Sequence, residues 1–175
     1  MPLELYRKLP ALAQHWECIR DEAMALLGDG SFDEVRRDGS PAAFDVGFRT
    51  FYKYGWSRYY LRWYGAPHAS ARASCPRTLD LLAGYPEIHA AMFAVLPPRS
   101  VLTPHADPLG CSLRYHLGLA TPNAAQCFIN VDGRNRAWQD GDAFVFDETY
   151  LHFVRNDTDA VSYTHLRAHE TRGNL

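Results

Sequence analysis

The chain has 175 residues, 47% of them apolar and 22% charged, with a formal net charge of -2. That length supports a single domain with its own core, and the charge balance argues against a general attraction to nucleic acid or anionic membrane. No apolar run reaches the roughly 18 residues of a membrane span, and the opening "MPLELYRKLP" lacks the apolar core of a signal peptide.

In chain order, the first predicted element is a helix over Ala11–Leu27. Leu12, Trp16, Ile19, Ala23 and Leu26 recur there at three- and four-residue steps until Gly28 stops the pattern. Residues 28–47, rich in Gly, Asp, Ser and Arg, read as loop. The stretch "FRTFYKYGWSRYYLRWYGAP" reads either as a pair of strands covering one side of a core or as a cationic, substrate-facing surface. A short helix is predicted over Pro76–Ala83, with proline at its start and Gly84 after its end.

From Ile88 onward the signals are those of strands. "HAAMFAVL", "RYHLGLA", "QCFINV", "DAFVFD" and "HFVRN" are short and apolar, many alternating, with "LPPRS", "TPN", "VDGRN" and "QDGD" as turns between them. Ten Tyr, nine Phe and four Trp add to the β tendency. The predicted class is mainly β with N-terminal helices (α+β), and the architecture an antiparallel sandwich or barrel of jelly-roll or cupin type. Cys18, Cys75, Cys111 and Cys127 are widely spaced without a CxxC pair and read as thiols of a reducing compartment.

The stretch "TPHADP" carries the first chemical signal. His105 and Asp107 stand at i and i+2, on one face of an extended strand. His152 follows in "FDETYLHFVRN", on another predicted strand. Two imidazoles and one carboxylate form the facial set that binds non-haem Fe(II) and leaves the opposite coordination positions open. With eight histidines in the chain, the alternative is a pair of structural histidines without metal. Arg114 and His116, in "SLRYHLGLATPN", share a strand face too. An arginine fork suits a carboxylate; an exposed arginine on an edge strand is the alternative.

"PHADPLGCSLRYHLGLATPN" and "VDGRNRAWQDGDAFVFDETYLHFVRNDT" together resemble the aspartyl/asparaginyl β-hydroxylase family of Fe(II)- and 2-oxoglutarate-dependent dioxygenases, most of all its bacterial lipid A acyl-chain 2-hydroxylases. "YLRWYGAPHASARASCPRTLDLL" and "AMFAVLPP" resemble the same branch, so the likeness runs from Tyr59 to Val161. It implies a double-stranded β-helix, with His105, Asp107 and His152 as iron ligands and Arg114 and His116 as 2-oxoglutarate-binding residues. It implies Fe(II), 2-oxoglutarate and O2 as reactants, and hydroxylation of an aliphatic carbon with release of succinate and CO2. The substrate it suggests is a lipid A acyl chain, or else a peptidyl Asp or Asn. The family's peptide hydroxylases lack the triad carboxylate, so Asp107 points to the lipid branch. The implied location is the cytoplasm, with peripheral attachment at the inner face of the bacterial inner membrane as a variant.

Two departures accompany the resemblance. Membrane-bound members of the lipid branch carry a hydrophobic N-terminal anchor, which "MPLELYRKLP" does not resemble. The family also places a carboxylate-binding arginine about ten residues after the distal histidine, where this chain has Ser162, followed by the polar, non-alternating "SYTHLRAHETRGNL". The expectation is a dioxygenase domain over residues 1–161, helical over 1–84 and β over 85–161. Residues 162–175 are then translated adapter sequence in place of the last core strand, and His165 and His169 carry no functional weight. The rival readings are a cupin-like metalloenzyme that works without 2-oxoglutarate and a catalytically impaired or non-catalytic relative.

Overall fold

The computed structural model describes residues 3–28, 56–107 and 112–171. Helices α1 (Leu3–Ala13) and α2 (Trp16–Gly28) come first, then β1 (Ser57–Trp63), β2 (Ala66–Pro67), α3 (Ala69–Ser74) and α4 (Pro76–Ala83). Strands β3 (Ile88–Leu96), β4 (Ser100–His105), β5 (Ser112–Ala120), β6 (Cys127–Val131), β7 (Arg134–Ala137), β8 (Ala143–Phe146), β9 (His152–Asn156) and β10 (Ser162–Thr171) complete the chain.

The single helix expected over Ala11–Leu27 is two helices. A turn at residues 14–15 separates them, and the first extends back through Pro10. The apolar spacing continues across the turn, so periodicity cannot register the change of direction. The expected helix at Pro76–Ala83 is present with those ends. Its first turn is capped from another helix. Glu22 of α2 accepts hydrogen bonds from Arg77 N (3.0 Å) and from Thr78 N (2.8 Å) and Thr78 Oγ1 (2.6 Å). A buried carboxylate thus meets the N–H groups that an α-helix leaves unpaired at its start.

Of the aromatic stretch over residues 48–67, the described part forms β1 and the two-residue β2. They close through Tyr64 and Gly65, both at positive φ. Asp132-Gly133 makes the same two-residue turn between β6 and β7. Both fit the turn whose twist matches paired strands. The predicted loop over 28–47 lies outside the described residues apart from Gly28.

Two antiparallel sheets face each other. The larger has the order β2-β1-β3-β10-β5-β8 and the smaller β4-β9-β6-β7. Period-two alternation divides β3, β5 and β8 of the larger sheet between two faces. Tyr59 and Leu61 of β1, Phe93 of β3, and Tyr115, Leu117 and Leu119 of β5 pack with Leu12, Ile19, Ala23 and Leu26 of the helices. The opposite face meets the smaller sheet around Trp56, Leu96, Leu102, Ile129, Trp138 and Val154. Arg114 and His116 alternate onto that inner face, where His116 lies against Trp138, Phe144 and Phe146. This is the expected double-stranded β-helix with helices on its outer side. Gly118 permits close approach at its edge: a Cβ there would sit 2.1 Å from the Gln139 carbonyl oxygen.

The expectation that the last strand is missing is not met. Residues 162–171 form β10, hydrogen-bonded between β3 and β5. Strand pairing is made by backbone groups, so a polar sequence can occupy a slot with a neighbour on each side. The fit is irregular, with register shifts between Thr164 and Arg167 and between His169 and Glu170 against β3, and again against β5.

Candidate metal centre

His105 ends β4 and His152 begins β9, and the two are register partners. The register shifts by one residue between Leu102 and His105, where Pro104 sits. Proline has no N–H for the ladder and is tolerated at such a bulge. The extra residue re-aims His105 beside His152, and the ring centroids stand 4.3 Å apart.

The backbone fixes the protons. His105 Nδ1 lies 2.7 Å from the Thr103 carbonyl and His152 Nδ1 lies 2.9 Å from that of Tyr150. A carbonyl only accepts, so each Nδ1 carries a hydrogen, and in the neutral ring Nε2 is then the nitrogen with the lone pair for a ligand. The turn before His152 follows from its sequence. Asp147 Oδ1 accepts from Thr149 N (3.0 Å) and Thr149 Oγ1 (2.7 Å), and Tyr150 N closes onto the Asp147 carbonyl (3.3 Å). The turn presents the Tyr150 carbonyl to His152 and leaves Tyr150 and Leu151 exposed at 52% and 59%.

Asp107 lies two residues beyond His105 but outside the strand, which ends at His105. It is held instead by its backbone N–H to the Glu148 carbonyl (3.0 Å) and by a hydrogen bond from Arg114 Nη2 to Oδ2. The ligand atoms of His105, Asp107 and His152 all lie within 4.8 Å of one another. Two neutral imidazoles and a carboxylate at that separation suit a divalent cation, so the residues fit the iron that the resemblance implies.

Arg114 is not an exposed edge arginine. It is 1% exposed, and beyond Asp107 it donates through Nε to Glu148 Oε2. Burial pushes its guanidinium down from the ordinary value, opposed by the charges of Glu148 and Asp107. Ser112 Oγ donates to the other oxygen of Glu148. Its two carboxylate partners here are therefore the protein's own. His116 lies deeper between the sheets, and Phe146 spans from it to His152, with centroids 4.9 Å from His116 and 5.4 Å from His152. Sequence reasoning missed Glu148 and Ser112. An acidic residue within "DET" carries the signature of a solvated turn, and only the fold shows that Glu148 is fully buried.

A sequence model for the aspartyl/asparaginyl beta-hydroxylase family matches residues 13–164. The chain belongs to that family. Among its members, aspartyl/asparaginyl beta-hydroxylase of Homo sapiens is 29% identical over 152 residues, covering 84% of this chain and 19% of that protein. Ornithine lipid ester-linked acyl 2-hydroxylase of Rhizobium tropici is 33% identical over 130 residues, covering 74% of this chain and 43% of that protein. The chain thus spans less than half the length of either relative. Among solved structures, an oxidoreductase of the 2OG-Fe(II) oxygenase family from Burkholderia pseudomallei superposes with a TM-score of 0.51 at 15% identity, over 68% of this chain and 69% of that one. That likeness is one of fold, and it agrees with the paired antiparallel sheets. The family match stops two residues after the position of Ser162.

Proposed function

We propose that this family member is an Fe(II)- and 2-oxoglutarate-dependent hydroxylase acting on an aliphatic carbon. The observation that carries the reading is the convergence of His105, Asp107 and His152, with both imidazole tautomers set by backbone carbonyls. When bound, the iron would supply oxygen activation, with 2-oxoglutarate oxidised to succinate and CO2 as R–H becomes R–OH. The chain's own part is to hold three ligand atoms on one side and leave the other open. Arg114 and His116 stand on the inner face of β5 beside that set, with His116 packed against Trp138, Phe144 and Phe146.

The substrate we favour is an acyl chain of a lipid, lipid A being the first candidate. Asp107 completes the ligand set, and the exposed Tyr150 and Leu151 next to His152 give the site an apolar lip. The rhizobial relative, by its name, hydroxylates an acyl chain. A peptidyl Asp or Asn is the second reading, favoured by the longer alignment with the human relative. We also keep the proposal that residues 162–175 are not native sequence, supported by the end of the family match and by the register shifts of β10. No helix among the described residues is long and apolar enough to cross a membrane; a cytoplasmic site of action, with access to lipid at the membrane's inner face, is part of the proposal.

The test is anaerobic titration with Fe(II) and then 2-oxoglutarate, followed by aerobic assay of succinate against ornithine lipid, lipid A and an Asp/Asn-containing peptide. A visible absorption band on adding 2-oxoglutarate and iron-dependent succinate formation are expected. Iron binding with no response to 2-oxoglutarate would favour a cupin-like enzyme. A band without turnover on any substrate would favour an impaired relative.

A further inference from the structure

We infer that Glu148 is a positioning residue whose charge offsets that of Arg114, so that Arg114 orients Asp107 without neutralising it and the Asp107 charge stays available for a divalent cation; the inference rests on the metal-site reading above. Arg114 is the orienting donor for Asp107, but an arginine paired with that carboxylate alone would neutralise it and compete with the cation. Glu148 supplies the missing counter-charge. It is fully buried and accepts from Arg114 Nε on one oxygen and from Ser112 Oγ on the other. Its backbone carbonyl also takes the Asp107 N–H at 3.0 Å. One residue therefore grips the ligand loop twice, once through the main chain and once through Arg114.

These contacts are made where little water screens them, Arg114 being 1% exposed and the Asp107 side chain 17%. A divalent cation beside Asp107 adds charge of the sign that the two carboxylates favour. Glu148 lies four residues before His152, in the turn that leads into β9, so the segment that delivers one imidazole also carries the residue paired with Arg114.

The experiment uses Co(II) as probe, titrated into the full chain and followed by its visible absorption, with far-UV circular dichroism to confirm folding. E148Q keeps the shape and loses the charge. It is expected to bind Co(II) roughly tenfold to a hundredfold more weakly than wild type, the usual range for residues that orient metal ligands. E148D, which restores the charge, is expected to recover most of that loss. R114M/E148Q removes both charges and is expected to bind more tightly than E148Q, because Asp107 no longer faces an uncompensated arginine. A role for Glu148 in packing alone predicts the opposite order. Equal Co(II) affinity in E148Q and wild type, or a double variant no tighter than E148Q, overturns the inference while leaving the metal site standing. Should E148Q not fold, the double variant decides: affinity within about tenfold of wild type is expected, and a greater loss overturns the inference. Failure of wild type itself to bind Co(II) overturns the metal-site reading and this inference together.

Discussion

The β4–β9 end of the barrel and the β10 slot are built by different means. At β4–β9, side chains specify the geometry. Pro104 sits in the bulge, Thr103 and Tyr150 carbonyls set two tautomers, and Arg114 aims Asp107. At β10 the backbone pairs with a strand on each side, and the register slips against both neighbours. A strand can be seated by its amides without a matching sequence, whereas a ligand set cannot be assembled that way. The metal end should therefore be sensitive to single atoms, and the β10 slot to the presence of a strand more than to its composition.

The largest expected effect is at the metal end. His105→Ala, Asp107→Ala or His152→Ala should each reduce Fe(II) affinity at least hundredfold while circular dichroism stays that of a folded chain. Full-strength binding in two of the three would remove the triad. Next comes the slot itself. Ending the chain after Val161 exposes unpaired edges on β3 and β5 and should give an aggregating or unfolded protein. Replacing residues 162–175 with an arginine-led apolar strand from a relative should instead raise the melting temperature and strengthen 2-oxoglutarate binding. A charged hydrogen bond at residue 162 is worth on the order of 1.5–3 kcal/mol, so the gain should be roughly tenfold to a hundredfold. If the chain as it stands melts as high and binds as well as the repaired one, the proposal that its tail is foreign fails.

A smaller effect is expected where the two regions join. Asn156 is fully buried and donates to the Pro97 carbonyl (3.0 Å) and the Ala160 carbonyl (2.9 Å). Its Oδ1 accepts from Thr158 N (3.1 Å) and Thr158 Oγ1 (2.6 Å). Asn156→Ala leaves those groups without it and should cost about 1–3 kcal/mol in denaturant unfolding. The smallest is at Arg155, whose exposed guanidinium pairs with Asp157. Arg155→Ala should change stability by less than about 1 kcal/mol and leave 2-oxoglutarate affinity unaltered. A large loss of that affinity would make Arg155 the co-substrate's partner in place of the arginine absent at residue 162.

Much of this molecule was legible without coordinates. Alternation marked β3, β5, β8 and β9, and the proline–glycine frame of α4 marked both its ends. Residue chemistry marked His105, Asp107 and His152. Other features were not legible, for identifiable reasons. The turn at residues 14–15 preserves the apolar spacing that predicted one helix. Helix α3, "ASARAS", has no apolar stripe long enough to register. Strand β10 has no alternation at all. Arg114 read equally as an edge residue and a carboxylate binder, and Glu148 as part of a solvated turn.

What the sequence determined by itself was which residues could share a face and which chemistry they could offer, because both follow from local backbone period and side-chain type. Only the tertiary structure decided which faces meet. It set His152 opposite His105 through a one-residue bulge, and it buried Glu148 against Arg114 from 34 residues away. It also seated a polar segment between β3 and β5. Each of these is a non-local pairing, fixed by burial and by hydrogen bonds between distant segments, and no local pattern carries that information.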